Sequence, residues 1–103
     1  MFYIFEFDKM ISISKLIWDD WNVGHIKKHN VKVEEVEEVC KTTNIALSTY
    51  EKRLIILGET TKGKLITIIL SPEDNDNFYV VTARDMSKIE RKYYDKNKNN
   101  TKI

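Results

Sequence analysis

A chain of 103 residues can bury one hydrophobic core but not two. With 42% hydrophobic and 32% charged residues it is not disordered throughout, and one proline with three glycines excludes a loop-rich scaffold. A formal net charge of +1 excludes a basic whole-chain signature of nucleic-acid binding, so any basic surface must come from segregated charge.

The opening MFYIFEFDKM is apolar but interrupted by Glu6 and Asp8, and it lacks the basic and apolar regions of a signal peptide. No apolar run approaches the ~20 residues of a membrane helix. The expectation is a soluble, cytoplasmic protein with no membrane contact. Phe2 to Phe7 is a candidate strand, and Ile11 to Trp18, ISISKLIW, is a second. WDDWNVGHIKKHN then changes period. Asp19 or Asp20 suits a helix N-terminus, Asn30 a stop, and Trp18, Trp21, His25 and His29 recur at spacings of three and four.

VKVEEVEEVCKT predicts a second helix, with Val33, Val36, Val39 and Cys40 on one face. EEVEE puts four acids in five residues, and Glu34 and Glu35 complement the helix dipole. Cys40, the only cysteine, cannot form an intrachain disulfide or a CxxC site, and in this stripe it is a core thiol. NIALST, KRLIILG, GKLITIIL and NFYVVTA predict four strands. GETTKG and SPEDNDN separate the last three, so neighbours pair antiparallel, with helices covering one face and the other partly wet. Ser87 and Glu90 have capping-box spacing at the start of a last helix, whose Ile89 and Tyr93 are expected to face the sheet. From Arg84 to Ile103 there are seven basic residues against three acidic, so acidic and basic regions are segregated. The fold class is α+β, an antiparallel β-meander packed against two N-terminal helices and a C-terminal helix. One domain spans residues 1–96, followed by a flexible tail over 97–103.

No P-loop, G-x-S-x-G, Rossmann or H-E-x-x-H motif is present. His25 and His29 stand at i, i+4, but no third ligand accompanies them, so neither a metal nor a cofactor is expected. Lys28, His29, Arg53, Arg84, Glu90, Arg91 and Tyr94 form a set suited to metal-free RNA cleavage. His29 or Glu90 could take the 2′-hydroxyl proton, arginines could hold the phosphorane, and an aromatic ring could stack on an unpaired base. Lys28, Lys88 and Lys92 are the candidate RNA-binding lysines. Each residue also has a plainer role. Arg84 could pair with Glu90, Arg53 could be solvated, Glu90 could only cap its helix, and Tyr94 could be packing.

IWDDWNVGHIKKHNVKVEEVEEV resembles the opening signature of the BrnT-type toxins, W-D-x-x-N-x-x-H-I-x-x-H-x-V followed by an acidic helix. RLIILGETTKGKLITIIL resembles their middle hairpin, and YVVTARDMSKIERKYY their closing T-A-R-D-x-[ST]-x-x-E-R-x-Y-Y. Order and spacing hold from Ile17 to Tyr94; residues 1–15 lie outside. The resemblance implies a RelE-like fold and a type II toxin that cleaves RNA and arrests translation. It implies a ribbon-helix-helix antitoxin as partner, and operator DNA bound only through that antitoxin. Position by position it implicates His29, Arg53 in the strand before the hairpin, Arg84, Glu90, Arg91 and Tyr94. Two residues depart from the pattern. Glu59 replaces a basic residue after the hairpin glycine, and Lys32 replaces the Thr or Ser that caps the second helix. The alternative to an endoribonuclease is a degenerate member that keeps only antitoxin or RNA binding.

Overall fold

The computed structural model describes residues 2–6, 9–42, 44–49 and 51–98. Strands β1 (Phe2–Glu6) and β2 (Lys9–Ile13) form a separate antiparallel sheet, with Ile4 opposite Ile11. The hairpin packs against α2 and β4, which places Ile4 and Ile13 in the main core. The single strand expected over Ile11 to Trp18 is broken. Ser14 donates its N–H to Asp76 O at 2.8 Å, and Lys15–Ile17 becomes β3 in a different sheet. Ile13 and Leu16 are both buried, and residues three apart cannot share one face of a strand, so the chain must bend between them.

Helix α1 (Asp20–Lys28) starts as the sequence indicates. Asp19 accepts from Asn22 N–H at 2.9 Å, and Asn22 Oδ1 accepts from Asp19 N–H at 2.9 Å. Asn30 ends it at φ +63. Its buried residues are Asn22 and Ile26, so the Trp21–His25–His29 stripe is left outside the core. Helix α2 (Val33–Lys41) buries Val36, Val39 and Cys40. Burial, with help from Glu37, pushes the Cys40 thiol up to about 12, so the thiol is inert. Lys32 supplies no side-chain cap; Glu35 accepts its backbone N–H instead, at 2.9 Å.

The main sheet contains β4 (Asn44–Ser48), β5 (Leu54–Glu59), β6 (Leu65–Pro72) and β7 (Asn77–Asp85) in the order β3-β7-β6-β5-β4. The β4–β7 meander is antiparallel, but β3 runs parallel to β7, so the sheet is mixed rather than wholly antiparallel. Alternation splits the apolar residues between two faces. Ala46, Leu54, Ile56, Ile66, Ile68 and Leu70 meet the buried side chains of α1 and α2. Ile45, Leu57, Met86 and Tyr94 form a second cluster with Leu47, Ile55 and Leu65, under helix α3 (Lys88–Asn97). Gly58 permits the first packing: a Cβ there would lie 2.4 Å from Val39 Cγ1.

The face of α3 differs from expectation. Ile89 is 80% exposed and Tyr93 41% exposed, whereas Tyr94 is 7% exposed. Glu90 is tied to the sheet, and at 100° per residue Tyr94, four positions on, follows it inward. The helix runs through Asn97, past the expected boundary at residue 96; residues 99–103 of the expected tail lie outside the described residues. Among the described residues no helix is long and apolar enough to cross a membrane.

Candidate active site

Strand β7 ends one residue before Met86, and Ser87 starts α3 two residues after that strand end. The short link lets the first turn of the helix fold back over the sheet. Ser87 Oγ accepts from Glu90 N–H at 3.2 Å, and Ser87 N–H donates to Glu90 Oε1 at 2.7 Å, the reciprocal cap that the S-x-x-E spacing predicts. The same carboxylate receives Arg84 through a two-pronged pair, Nη1 to Oε1 at 2.8 Å and Nη2 to Oε2 at 3.0 Å. Thr67 Oγ1, fully buried, adds a bond of 2.8 Å. Arg84 is in register with Thr67 across β6 and β7, so these groups share one sheet face.

These contacts set the protonation states. The Arg84 hydrogen bonds, followed by those of Ser87 and Thr67, overcome burial and hold the Glu90 carboxyl at about 2. The Glu90 bond raises Arg84 further, so both groups stay charged. A carboxylate with so little proton affinity is a poor general base, and Glu90 is better described as a clamp for the guanidinium plane. Arg84 uses three of its five N–H groups on Glu90 and on Asp85 O; two remain for an anion. Arg91 is exposed and donates Nε–H to Met86 O at 3.2 Å, which fixes its position beside the same link.

The histidines approach from α1. His25 Nε2 lies 3.1 Å from Thr82 Oγ1. Thr82 and Arg84 are two residues apart in β7, hence on one strand face and about 7 Å apart along the chain. The register shift beside Leu70 leaves Val81 as the extra residue of β7 just before this point. Beyond Tyr79, β7 has left β3, so its outer edge is open to α1. His29 is exposed and packs against His25 in a T-shaped contact, with centroids 5.1 Å apart and planes at 76°. His29 is thus in contact with the site through His25, while His25 makes the direct hydrogen bond to β7.

The remaining candidates separate. Arg53 is not in a strand; it precedes β5 as an exposed loop residue whose carbonyl accepts from Thr49 N–H at 2.8 Å. It lies four positions from Leu57, the residue in register with Thr67, or about 13 Å along the strand. Tyr94 shares the inner face of α3 with Glu90 but packs in the second core, and burial, then Glu59 and Asp95, raises its phenol. Arg91 and Tyr94 therefore do not share the working face. Lys88 and Lys92 are each two positions from Glu90, about 160° around the helix, and point away from the Arg84 pair. Lys28 is exposed at the end of α1.

Sequence reasoning overlooked Thr67 and Thr82. The signal for Thr67 is present in LITIIL, where it is the sole polar residue of an apolar run. Asn22 was undervalued too. Fully buried, it donates Nδ2–H to Ile17 O and to Val80 O, both at 3.0 Å, and so binds α1 to β3 and β7. Among the described residues no three His, Cys, Asp or Glu side chains converge as a metal site.

No protein-family model and no curated protein matches this chain. A solved structure does, that of the Brucella abortus ribonuclease toxin, BrnT. It has 24% sequence identity and a TM-score of 0.58, and the match covers 75% of this chain and 100% of that one. The chain shares the fold of that ribonuclease toxin, as the three sequence signatures imply.

Proposed function

We propose that this protein is the toxin of a type II toxin–antitoxin pair, RelE-like in fold, and a metal-independent endoribonuclease that cleaves RNA and thereby inhibits translation. The observation that carries this is the Arg84 guanidinium, clamped in plane by Glu90 on the strand face that also bears Thr82 and its bonded His25. The fold likeness to a ribonuclease toxin supports it independently. In the proposed reaction a histidine takes the proton from a ribose 2′-hydroxyl. The resulting oxygen attacks the adjacent phosphorus, and the P–O5′ bond breaks. The 2′,3′-cyclic phosphate and a 5′-hydroxyl result, with a proton delivered to the leaving oxygen. Arg84 and Arg91 hold the extra negative charge of the phosphorane. His29 is the proposed base because it is exposed and free to meet the substrate; His25 holds its ring in place.

The natural partner is a ribbon-helix-helix antitoxin, operator DNA is bound only through it, and the working compartment is the cytoplasm. One observation favours a binding module without catalysis: the exposed Glu59 carboxylate lies close enough to raise the Tyr94 phenol and would repel RNA there. Expression of the chain alone in bacteria separates the two. Growth arrest with fragmentation of total RNA, absent in Arg84→Ala and relieved by co-expression of the antitoxin, supports the enzyme. Normal growth with intact RNA at verified expression leaves the binding module.

A further inference from the structure

The outward stripe of α1 carries more aromatic surface than packing requires. Trp21 is 61% exposed, although the buried residues of its helix are Asn22 and Ile26. Its indole lies parallel to the His25 imidazole, with centroids 4.7 Å apart and planes at 10°. His29, one turn further along the helix, makes a T-shaped contact with that imidazole. His25 is in turn held by Thr82, two residues from Arg84. The three rings form a row along α1 in which His25 is held by Thr82 and Trp21, stacked on His25, is the largely exposed end. The row is anchored to the strand face that also carries Arg84.

We propose that Trp21 is a stacking platform for one unpaired base of the substrate, and that the site therefore takes single-stranded RNA. This rests on the ribonuclease function proposed above and adds the strand state of the substrate and the residue that reads it. A flat, exposed indole already stacked on a second ring is preorganised to continue the stack with a nucleobase. Such stacking is strong and tolerant of sequence, because every base has a π-face. In a duplex both faces of a base are covered by its neighbours, so only an unpaired or terminal base can reach the ring. Asn22 meets Val80 and His25 meets Thr82, so α1 runs in the same direction as β7 and Trp21 lies on the far side of His25 from Arg84; the stacked base is therefore a neighbour along the strand, not the nucleotide whose phosphate Arg84 holds.

The test measures binding of a fluorescent, uncleavable 2′-O-methyl oligoribonucleotide, single-stranded or annealed to its complement, to the full chain. Trp21→Ala should weaken single-strand binding about 10- to 100-fold, and Trp21→Phe should recover most of it. Duplex binding should be weak and unchanged by either variant. Because Trp21 is exposed, both variants should melt with the native protein. If the native protein binds and cleaves RNA but Trp21→Ala binds the single strand equally well, the platform is overturned and the ribonuclease stands. If Trp21→Ala loses capture of the antitoxin while RNA binding is unchanged, Trp21 belongs to a protein interface and the platform is again overturned. If the native protein neither binds nor cleaves RNA, both proposals fall.

Discussion

Arg84 and Glu90 illustrate how a structural pair and a functional one coincide. Both a salt bridge to Glu90 and a phosphate contact by Arg84 are legible in the sequence. The geometry combines them, since three N–H groups of the guanidinium fix it and two remain. Arg84→Ala should lower RNA cleavage by ~10²–10³-fold, about 2.7–4 kcal/mol of transition-state stabilisation. Its stability cost should be about 1–3 kcal/mol, more than an exposed pair would give, because Glu90 is partly buried and loses its main partner. Cleavage rates and urea melts on one preparation check both; full activity in a folded variant would remove Arg84 from the mechanism. The pH dependence follows from the depressed carboxyl. Glu90 titrates near 2 in the fold against an ordinary value of 4.5. Its contribution is therefore complete above about 4.5 and disappears as pH falls through 2. It should be on the order of 1–3 kcal/mol, reduced by the partial solvent exposure of Arg84. The stability gap between the native protein and Glu90→Gln should narrow from pH 6 to pH 2. A gap that stays constant over that range would exclude the clamp.

At the level of elements, α1 and α3 both present a face that differs from the simplest apolar count. In α3, the bond from Thr67 to Glu90 rotates Tyr94 inward and leaves Ile89 in water. Tyr94→Ala should cost about 3–5 kcal/mol in a urea melt, and Ile89→Ala less than about 0.5 kcal/mol. Equal losses would mean that the helix is turned as the sequence first indicated. In α1, the W-D-x-x-N signature is an architectural device. Asp19 and Asn22 cap the helix reciprocally, and the buried amide of Asn22 ties it to two strands. Asn22→Leu should destabilise by about 2–4 kcal/mol, because two strand carbonyls lose their donor. A melt within 0.5 kcal/mol of native would show that water replaces the amide.

Across the whole molecule the sheet separates charge. The glutamate-rich α2 packs on one face and the lysine-rich α3 on the other. Much of the α2 charge is already engaged: Glu35 with Lys64, Glu37 with Lys41 and the Trp18 indole, Glu38 with Thr61 N–H. Among the described residues Lys88, Lys92 and Lys96 of α3 are exposed, so a polyanion should be attracted to that side despite a net charge of only +1. RNA affinity should fall with salt along a log–log line, and Arg84→Ala should reduce the slope by about 0.7, one phosphate contact. An unchanged slope in that variant would mean that Arg84 does not touch the backbone.

The sequence by itself determined the local units of this protein. The period of VKVEEVEEVCKT, the aspartates before α1, the Ser87 cap and the turn residues between strands are signals read over a few positions, and the corresponding elements formed. It also marked Arg84 and Glu90, because their spacing bridges a strand end and a helix start. Tertiary structure decided what depends on distant partners. The break at Ser14 follows from Asp76 accepting its N–H, and the parallel pairing of β3 follows from its place beside β7. The partner of Glu90 on β6 set the rotation of α3, turning Lys88 and Lys92 away from the Arg84 site and Tyr94 into the core. Arg53 was separated from Arg84 by strand register, and His25 was brought to Thr82 across 57 positions of chain. Helical period gives the angles between side chains along an element, but only a contact from another part of the chain fixes which angle faces inward.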